Sequence, residues 1–191
     1  MLQLNKAYLA LILITFVCMG CAKTYESQNP EGSTFPSIRG ESLTGTNIDI
    51  PRFFEGKPTL LLIGYVQDSQ FDVDRWVLGL KQLKTPIGIA EIPAIQGLVP
   101  RMIKSKIDQG MRNGIPEEDW GIVITVYKDA EKIARFLGNN NPRNVRAVLL
   151  DKAGEVRWFH DRGFSPAKAV ELDAQVRQLV GSSDSPAVGQ K

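Results

Sequence analysis

Four charged residues follow a short apolar segment and have the spacing to do chemistry at a helix start: Asp68, Asp72, Asp74 and Arg75. Carboxylates grouped in this way can bind a metal ion or serve as a general acid and base. Acidic side chains in a first helical turn also stabilise the helix, because they cap free N–H groups and oppose the helix dipole. The pattern favours this structural role, and both roles stay open from the sequence.

The single histidine of the chain, His160, is followed by Asp161. Such a pair can act as a base or as a pH sensor, but no motif connects a serine or cysteine nucleophile to it. We therefore expect a binding cleft and predict no catalytic residue and no metal ligand in it. The candidate cleft comprises six polar residues near the helix start and the last strand: Gln67, Asp68, Asp72, Arg75, His160 and Arg162.

The only two cysteines, Cys18 and Cys21, precede the folded part of the chain. A reactive thiol needs a helix N-terminus or a nearby cation to lower its pKa. The turn at residues 66–70, just before the helix, contains no cysteine. The sequence therefore excludes an internal disulfide, a Cys/His metal cluster and thiol redox catalysis within the folded part.

Residues 1–21 have the three parts of a secretory signal. Lys6 lies in a short n-region, residues 7–17 are apolar, and small residues precede Cys21. The apolar run is shorter than the roughly 20 residues that span a bilayer. We therefore expect a signal peptide over residues 1–20 rather than a transmembrane helix.

The ending Val17-Cys18-Met19-Gly20-Cys21 resembles the lipobox of bacterial lipoproteins. The resemblance implies that Cys21 becomes the mature N-terminus and carries a lipid, and several acyl chains together anchor a protein stably. Cys18 departs from the usual leucine, so a plain secretory signal cut near Cys21 stays the alternative. In a Gram-negative host, Ala22 resembles a residue that sorts lipoproteins to the periplasmic face of the outer membrane.

The 191 residues carry a formal net charge of +2 and are 43% hydrophobic. This balance favours one globular domain and gives no field that would attract nucleic acid. Polar, turn-forming segments predict a flexible tether over residues 21–34 and a disordered tail over residues 182–191, with the domain over residues 35–181. We predict no cofactor.

The central element is the apolar segment at residues 58–65, which predicts a buried strand that leads into the helix covering it. Ser69 and Asp72 have the spacing of a capping box for that helix, and Asp129 can cap a later helix that Gly138 ends. Apolar residues at helical spacing predict the buried face of the first helix: Phe71, Trp76, Val77 and Leu80. The other predicted strands are a hairpin around Gly45, residues 87–92, residues 122–127, and a final hairpin at residues 146–151 and 155–160.

Residues 97–120 contain a second predicted helix, with apolar residues Leu98, Met102 and Ile103 among several basic ones. Mixed, methionine-containing surfaces of this kind can dock another protein. The same pattern also fits a helix with one buried and one solvated face, and we favour this second interpretation.

The order of the elements and the hairpin at residues 145–156 resemble the thioredoxin-like superfamily, particularly peroxiredoxin-like chains. The resemblance implies an α/β fold of three layers, with a central mixed sheet and helices on both faces. Superfamily members that handle disulfides have a cis-proline just before the strand that ends in Asp-x-x-Gly. In this sequence Val145 stands at that position.

Residues 35–45, Gly56-Lys57 and residues 67–76 are similar to the mitochondrial ATP synthase assembly-factor family and its bacterial relatives, which also lack cysteines at the turn. The resemblance implies a role in assembly. We therefore expect a lipid-anchored protein of the bacterial envelope whose redox-inactive domain binds an unidentified protein partner. The alternatives are a divergent non-thiol enzyme, antioxidant or hydrolase-like, and a carrier of a small ligand or metal in the candidate cleft.

Overall fold

A computed structural model describes residues 23–183. The expected signal peptide, Cys21 and residues 184–191 of the expected tail lie outside this range. The strands are β1 (Ile38–Ser42), β2 (Asn47–Ile50), β3 (Thr59–Gly64), β4 (Gly88–Pro93), β5 (Ile124–Thr125), β6 (Arg146–Leu150) and β7 (Val156–His160). The helices are α1 (Gln70–Leu83), α2 (Leu98–Met102), α3 (Lys104–Gly114), α4 (Ala130–Leu137) and α5 (Pro166–Ser183). Among these described residues, no helix combines the length and apolar character required to cross a membrane.

The apolar strand β3 lies inside a four-stranded sheet with the order β4-β3-β6-β7. β3 and β4 run parallel and are connected through α1, whereas β6 is antiparallel to both of its neighbours. Strands β2, β1 and β5 form a second, antiparallel set. Single bridges from Glu91 to Val123 and from Ala94 to Val126 connect this set to β4. The predicted mixed sheet is confirmed.

Alternation along β3 creates the two cores of the domain, because successive side chains of a strand point to opposite faces. Leu61 and Ile63 pack in the core that α4 covers. Leu60 and Leu62 pack in the core that α1 and α5 cover. All four side chains are fully buried, so the predicted three layers, with helices on both faces of the sheet, are confirmed.

The first helix buries Trp76 and Leu80 as its spacing predicts, but Phe71 is 72% exposed. The prediction that Phe71 belongs to the buried face is wrong. Phe71 and Leu80 are nine positions apart in the sequence, which is two and a half turns at about 3.6 residues per turn. The two side chains therefore lie on opposite sides of α1.

The predicted second helix is divided at Ile103 into α2 and α3. No residue of α2 is buried, so the interpretation of this segment as a helix with one buried face is wrong for α2. In α3 the buried residue is Asp108, whose Oδ1 accepts a hydrogen bond from the hydroxyl of Tyr127 at 2.8 Å. The predicted strand at residues 122–127 is reduced to the two residues of β5.

The two predicted side-chain caps are not formed. Ser69 Oγ donates to the carbonyl of Val66 at 2.6 Å. One oxygen of Asp129 accepts a hydrogen bond from the amide of Arg39 at 2.8 Å, so a β-strand residue takes the place of the helix N–H. Gly138 ends α4 with a φ of 78°, as its position predicts.

Residues 23–34, which we call the strap, lie against the domain, and this differs from the expected free tether. The side chain of Asn139 accepts a hydrogen bond from the amide of Tyr25 at 2.7 Å and donates one to the carbonyl of Lys23 at 3.0 Å. A Cβ atom at Gly138 would overlap the backbone of Glu26. The strap is held by residues more than 100 positions away, which its local composition does not reveal.

Candidate functional site

The turn between β3 and α1 leads into a helix N-terminus, the position that a reactive thiol would need, and it is tightly held. A short 3-10 turn, Gln67–Ser69, precedes the helix. Ser69 is 3% exposed and bonds the carbonyl of Val66. A Cβ atom at Gly64 would overlap Ser69 Oγ, so the glycine permits the turn to fold back onto the end of β3.

Both carboxylate oxygens of Asp72 bind backbone amides of distant loops. Oδ2 accepts a hydrogen bond from Val145 N at 2.9 Å, and Oδ1 accepts one from Phe164 N at 2.6 Å. The residue is 8% exposed. Asp72 therefore connects the start of α1 to the loops before β6 and before α5, a structural use of the carboxylate.

His160 lies against the same loop as Asp72, on an aromatic surface. Its Nε2 is 2.9 Å from the carbonyl of Gly163, and a carbonyl only accepts, so Nε2 carries the hydrogen. The imidazole stacks on Trp158 and contacts the edge of Trp76, with both centroid distances at 6.0 Å. Burial lowers the pKa of His160 below the usual 6.5, because the charged form loses hydration.

The other candidate residues are exposed and separate from this pair. Asp68 forms an ion pair with Arg143 at 3.3 Å, at the rim of the turn near Gln67. Arg75 lines an apolar groove of about 340 Å³ between α1 and α5. Arg162 lies in the exposed loop after β7. The structure thus brings Asp72 and His160 together through residues 163–164 and does not bring all six residues into one cleft.

A buried pair that the sequence patterns do not predict, Tyr65 and Arg146, lies at the carboxyl end of β3. Arg146 is fully buried, its Nη1 donates to the carbonyls of Asn141 at 2.6 Å and Asn144 at 2.8 Å, and its guanidinium lies 5.2 Å from the ring centroid of Tyr65. Burial lowers the pKa of Arg146 and raises the pKa of Tyr65, because each charged form loses hydration. Among the described residues, Arg146 Nε, Arg146 Nη2 and Tyr65 Oη have no hydrogen-bond partner.

One sequence signal could have pointed to this pair: Arg146 is the only charged residue of the apolar strand β6. A charge inside a buried strand is costly unless other groups compensate it. Here the compensation comes from two loop carbonyls and the face of an aromatic ring, none of which can be identified from spacing along the chain.

Apolar side chains remain exposed around the turn. Phe71 is 72% exposed in the first turn of α1, and Val66 is 42% exposed just before it. We call the set Val66, Asp68, Phe71 and Arg143 the rim surface. An exposed aromatic residue beside charged neighbours is typical of a surface that binds another protein.

The acidic residues and the histidine do not form a metal centre. Within residues 23–183, no group of three or more His, Cys, Asp or Glu side chains is placed to share an ion. Both carboxylate oxygens of Asp72 and the Nε2 atom of His160 already bind backbone groups.

Comparison with known proteins identifies the fold. No protein-family model matches the chain, and no curated protein matches it. The solved yeast Sco1 with copper bound is 10% identical, with a TM-score of 0.54, over 86% of this chain and 99% of that chain. A SCO1/SenC family lipoprotein from Bacillus anthracis is 13% identical, with a TM-score of 0.53, over 83% and 99%. A protein described as the thiol:disulfide interchange protein DsbE from Chlorobium tepidum is 15% identical, with a TM-score of 0.51, over 81% and 100%. The chain therefore has the thioredoxin-like fold that its sequence predicts, shared with the Sco1-like and DsbE-like proteins.

Proposed function

We propose that this protein is a lipid-anchored component of the bacterial envelope whose thioredoxin-like domain binds another protein and performs no thiol chemistry. The observation that carries the proposal is the contrast at the turn before α1. Asp72 and Ser69 are buried and hydrogen-bonded inside the domain, whereas Phe71 is 72% exposed. The turn offers an apolar contact where a redox protein would offer a thiolate.

The rim surface has the composition of a protein contact. Aromatic side chains supply much of the binding energy in protein interfaces, and charged residues around them set specificity. Phe71 and Val66 provide the apolar contact, and the ion pair of Asp68 with Arg143 provides both charges beside it. A partner that buries Phe71 would gain roughly 25 cal/mol for each Å² of apolar surface removed from water.

Copper transport is a role to consider because the solved yeast Sco1 holds copper. Protein sites for copper are built mainly from thiolate, thioether and imidazole ligands. Residues 23–183 contain no cysteine, and the Nε2 of the single histidine in this range, His160, donates to Gly163. The two methionines in this range, Met102 and Met111, lie in separate helices, α2 and α3. The donor set does not fit a copper site, so we derive no step through that metal.

Attachment to a membrane rests on the lipobox-like sequence at Cys21. One structurally similar protein, from Bacillus anthracis, is itself named a lipoprotein. In a Gram-negative host we infer the periplasmic face of the outer membrane from Ala22. The partner would then be a protein of that envelope layer.

The test is site-specific crosslinking of the full-length protein in its native envelope. A photocrosslinking residue replaces Phe71, and a matched control replaces Leu78, which is 58% exposed on the same helix. We expect a defined crosslinked protein from position 71 only. We also expect loss of this product when the crosslinker at position 71 is combined with Cys21→Ala, which cannot receive a lipid.

The proposal would be overturned by equal crosslinking at both positions or by no specific product at position 71. If the Cys21→Ala variant still forms the crosslinked product, the protein-binding role stands and does not require the lipid anchor.

A further inference from the structure

The helix α2 exposes an unusual run of apolar residues. Leu98 is 71% exposed and Met102 is 77% exposed, and neighbouring Val99 and Ile103 are also exposed. We call these four residues the α2 patch. Four large apolar side chains within six consecutive positions exceed the scattered exposure that is normal for a protein surface. An exposed apolar surface of this kind is typical of a site that contacts another protein or a membrane.

The charges around the α2 patch are positive. Arg101 and Lys106 are exposed, and no ion pair involves either of them among the described residues. Arg101 also donates to the carbonyl of the exposed Lys128 at 3.4 Å. The nearby acid Glu41 is already paired with Lys104 at 2.6 Å. An apolar patch beside cations that have no acidic partner among the described residues complements a surface of anionic headgroups above an apolar interior.

The start of the described chain lies near the segment that leads into α2. The Nδ2 atom of Asn139 is 3.0 Å from the carbonyl oxygen of Lys23 and 3.5 Å from Oε1 of Gln96. Gln96 is two residues before Leu98, and Cys21 is two residues before Lys23. Two residues reach at most about 7 Å when extended. A lipid on Cys21 would therefore enter a bilayer on the side of the domain where α2 begins.

We propose that the α2 patch lies in the headgroup region of a phospholipid membrane containing anionic lipids, and that it orients the domain on that membrane. The inference extends the proposed lipid anchor and rests on it. The strap supplies the reason for a fixed orientation, because it is hydrogen-bonded to Asn139 instead of spanning free space. Without such contact, a lipid at Cys21 would hold the domain near the membrane in any orientation.

This orientation has a consequence for the rim surface. β3 and β4 are parallel neighbours, so the turn after β3 and α2 after β4 follow the same edge of the sheet. The rim surface then faces the layer beside the membrane. Its partner would be a membrane protein or another anchored protein with an exposed apolar contact.

The experiment measures the depth of single dye labels on the full-length protein, expressed with its own N-terminus and reconstituted in vesicles. A dye is attached to Met102→Cys, and a matched control dye to Val170→Cys, which is 56% exposed on α5. The parent protein without an added cysteine gives the background labelling. The vesicles contain phosphatidylethanolamine and phosphatidylglycerol, with a quencher attached to the lipid chains.

We expect lipid-borne quenching about fivefold stronger at position 102 than at position 170, since only a residue at the interface meets the acyl boundary. The difference should shrink when Arg101→Gln and Lys106→Gln are combined, or when phosphatidylglycerol is omitted. Mass spectrometry of the N-terminal peptide detects a lipid on Cys21 independently of the quenching measurement. If Cys21 carries a lipid but quenching is equal at both positions, the proposed orientation is overturned and the proposed anchor stands.

Quenching at position 102 without a lipid on Cys21 would remove the anchor from the proposal and support contact of the patch with the membrane. The membrane contact would be overturned if the dye at position 102 were protected from aqueous iodide in native envelopes but accessible to iodide in vesicles that contain no other protein. In that case the patch binds a protein.

Discussion

The amide of Val145 donates a hydrogen bond of 2.9 Å to Oδ2 of Asp72. Val145 stands where the resemblance to disulfide-handling members of the superfamily places a proline. A proline has no amide hydrogen to donate, so this hydrogen bond and a proline exclude each other. The carboxylate in α1 and the valine before β6 form one structural unit, joined through an amide that a proline would lack.

Replacing Asp72 with alanine should destabilise the domain by about 2–4 kcal/mol, because the buried amide of Val145 and the partly buried amide of Phe164 would lose their acceptors. The measurement is urea unfolding followed by circular dichroism. Asp74→Ala is the matched control on the same helix, since Asp74 is exposed and bonds only Gln70 among the described residues. Its cost should stay within about 0.5 kcal/mol. Equal losses for the two variants would contradict the structural role of Asp72.

Two tyrosines provide a matched pair of substitutions. Tyr127→Phe should cost about 1–2 kcal/mol, because its hydroxyl donates to the buried Asp108 at 2.8 Å. Tyr65→Phe should be neutral or slightly stabilising, because its buried hydroxyl has no partner among the described residues and the substitution removes a desolvated polar group. Measured free energies of unfolding of the two variants test both expectations. A loss for Tyr65→Phe as large as that for Tyr127→Phe would show that the Tyr65 hydroxyl is satisfied in solution.

Stability should fall in mildly acid solution because of His160. Its folded-state pKa lies below the unfolded value of 6.5, so above about pH 6.5 both states are neutral and the full stability is present. As the pH falls through that value toward the folded pKa, the unfolded state binds more protons and stability is lost. His160→Gln should flatten this part of the profile, and unfolding free energies between about pH 7 and 5 measure it.

Carboxylates titrate in both proteins, so the difference between the two profiles isolates the histidine. Superimposable profiles would mean that the environment of His160 does not disfavour its charged form.

The close approach of Gly64 and Ser69 predicts a coupled pair of substitutions. Gly64→Ala should cost about 1–3 kcal/mol, because the added Cβ overlaps Ser69 Oγ. Ser69→Gly removes that oxygen and should relieve part of the cost, so the double variant should be more stable than the sum of the single effects predicts. A double-mutant cycle measured by urea unfolding tests this, and strict additivity would contradict the contact.

Several features of the fold follow from residues that are close in sequence. The apolar run at residues 58–65 predicts β3, because a continuous buried strand needs apolar side chains on both faces. Asp151 and Gly154 predict the β6–β7 hairpin, and there Asp151 Oδ1 accepts from the amides of Ala153 and Glu155 at 2.8 and 3.0 Å. The absence of cysteine after Cys21 is likewise a property of the sequence.

The roles of individual side chains were decided only by the tertiary structure. Asp72 fits a capping pattern, yet its partners are 73 and 92 residues away. Arg146 donates hydrogen bonds to two loop carbonyls and lies against the ring of Tyr65. Asn139 accepts a hydrogen bond from the strap, more than 100 residues away in the sequence. Local spacing reports which face of an element is apolar, but it contains no information on which distant donor meets a given acceptor. For the same reason, the apolar residues of α2 could be recognised in the sequence, while their exposure could not.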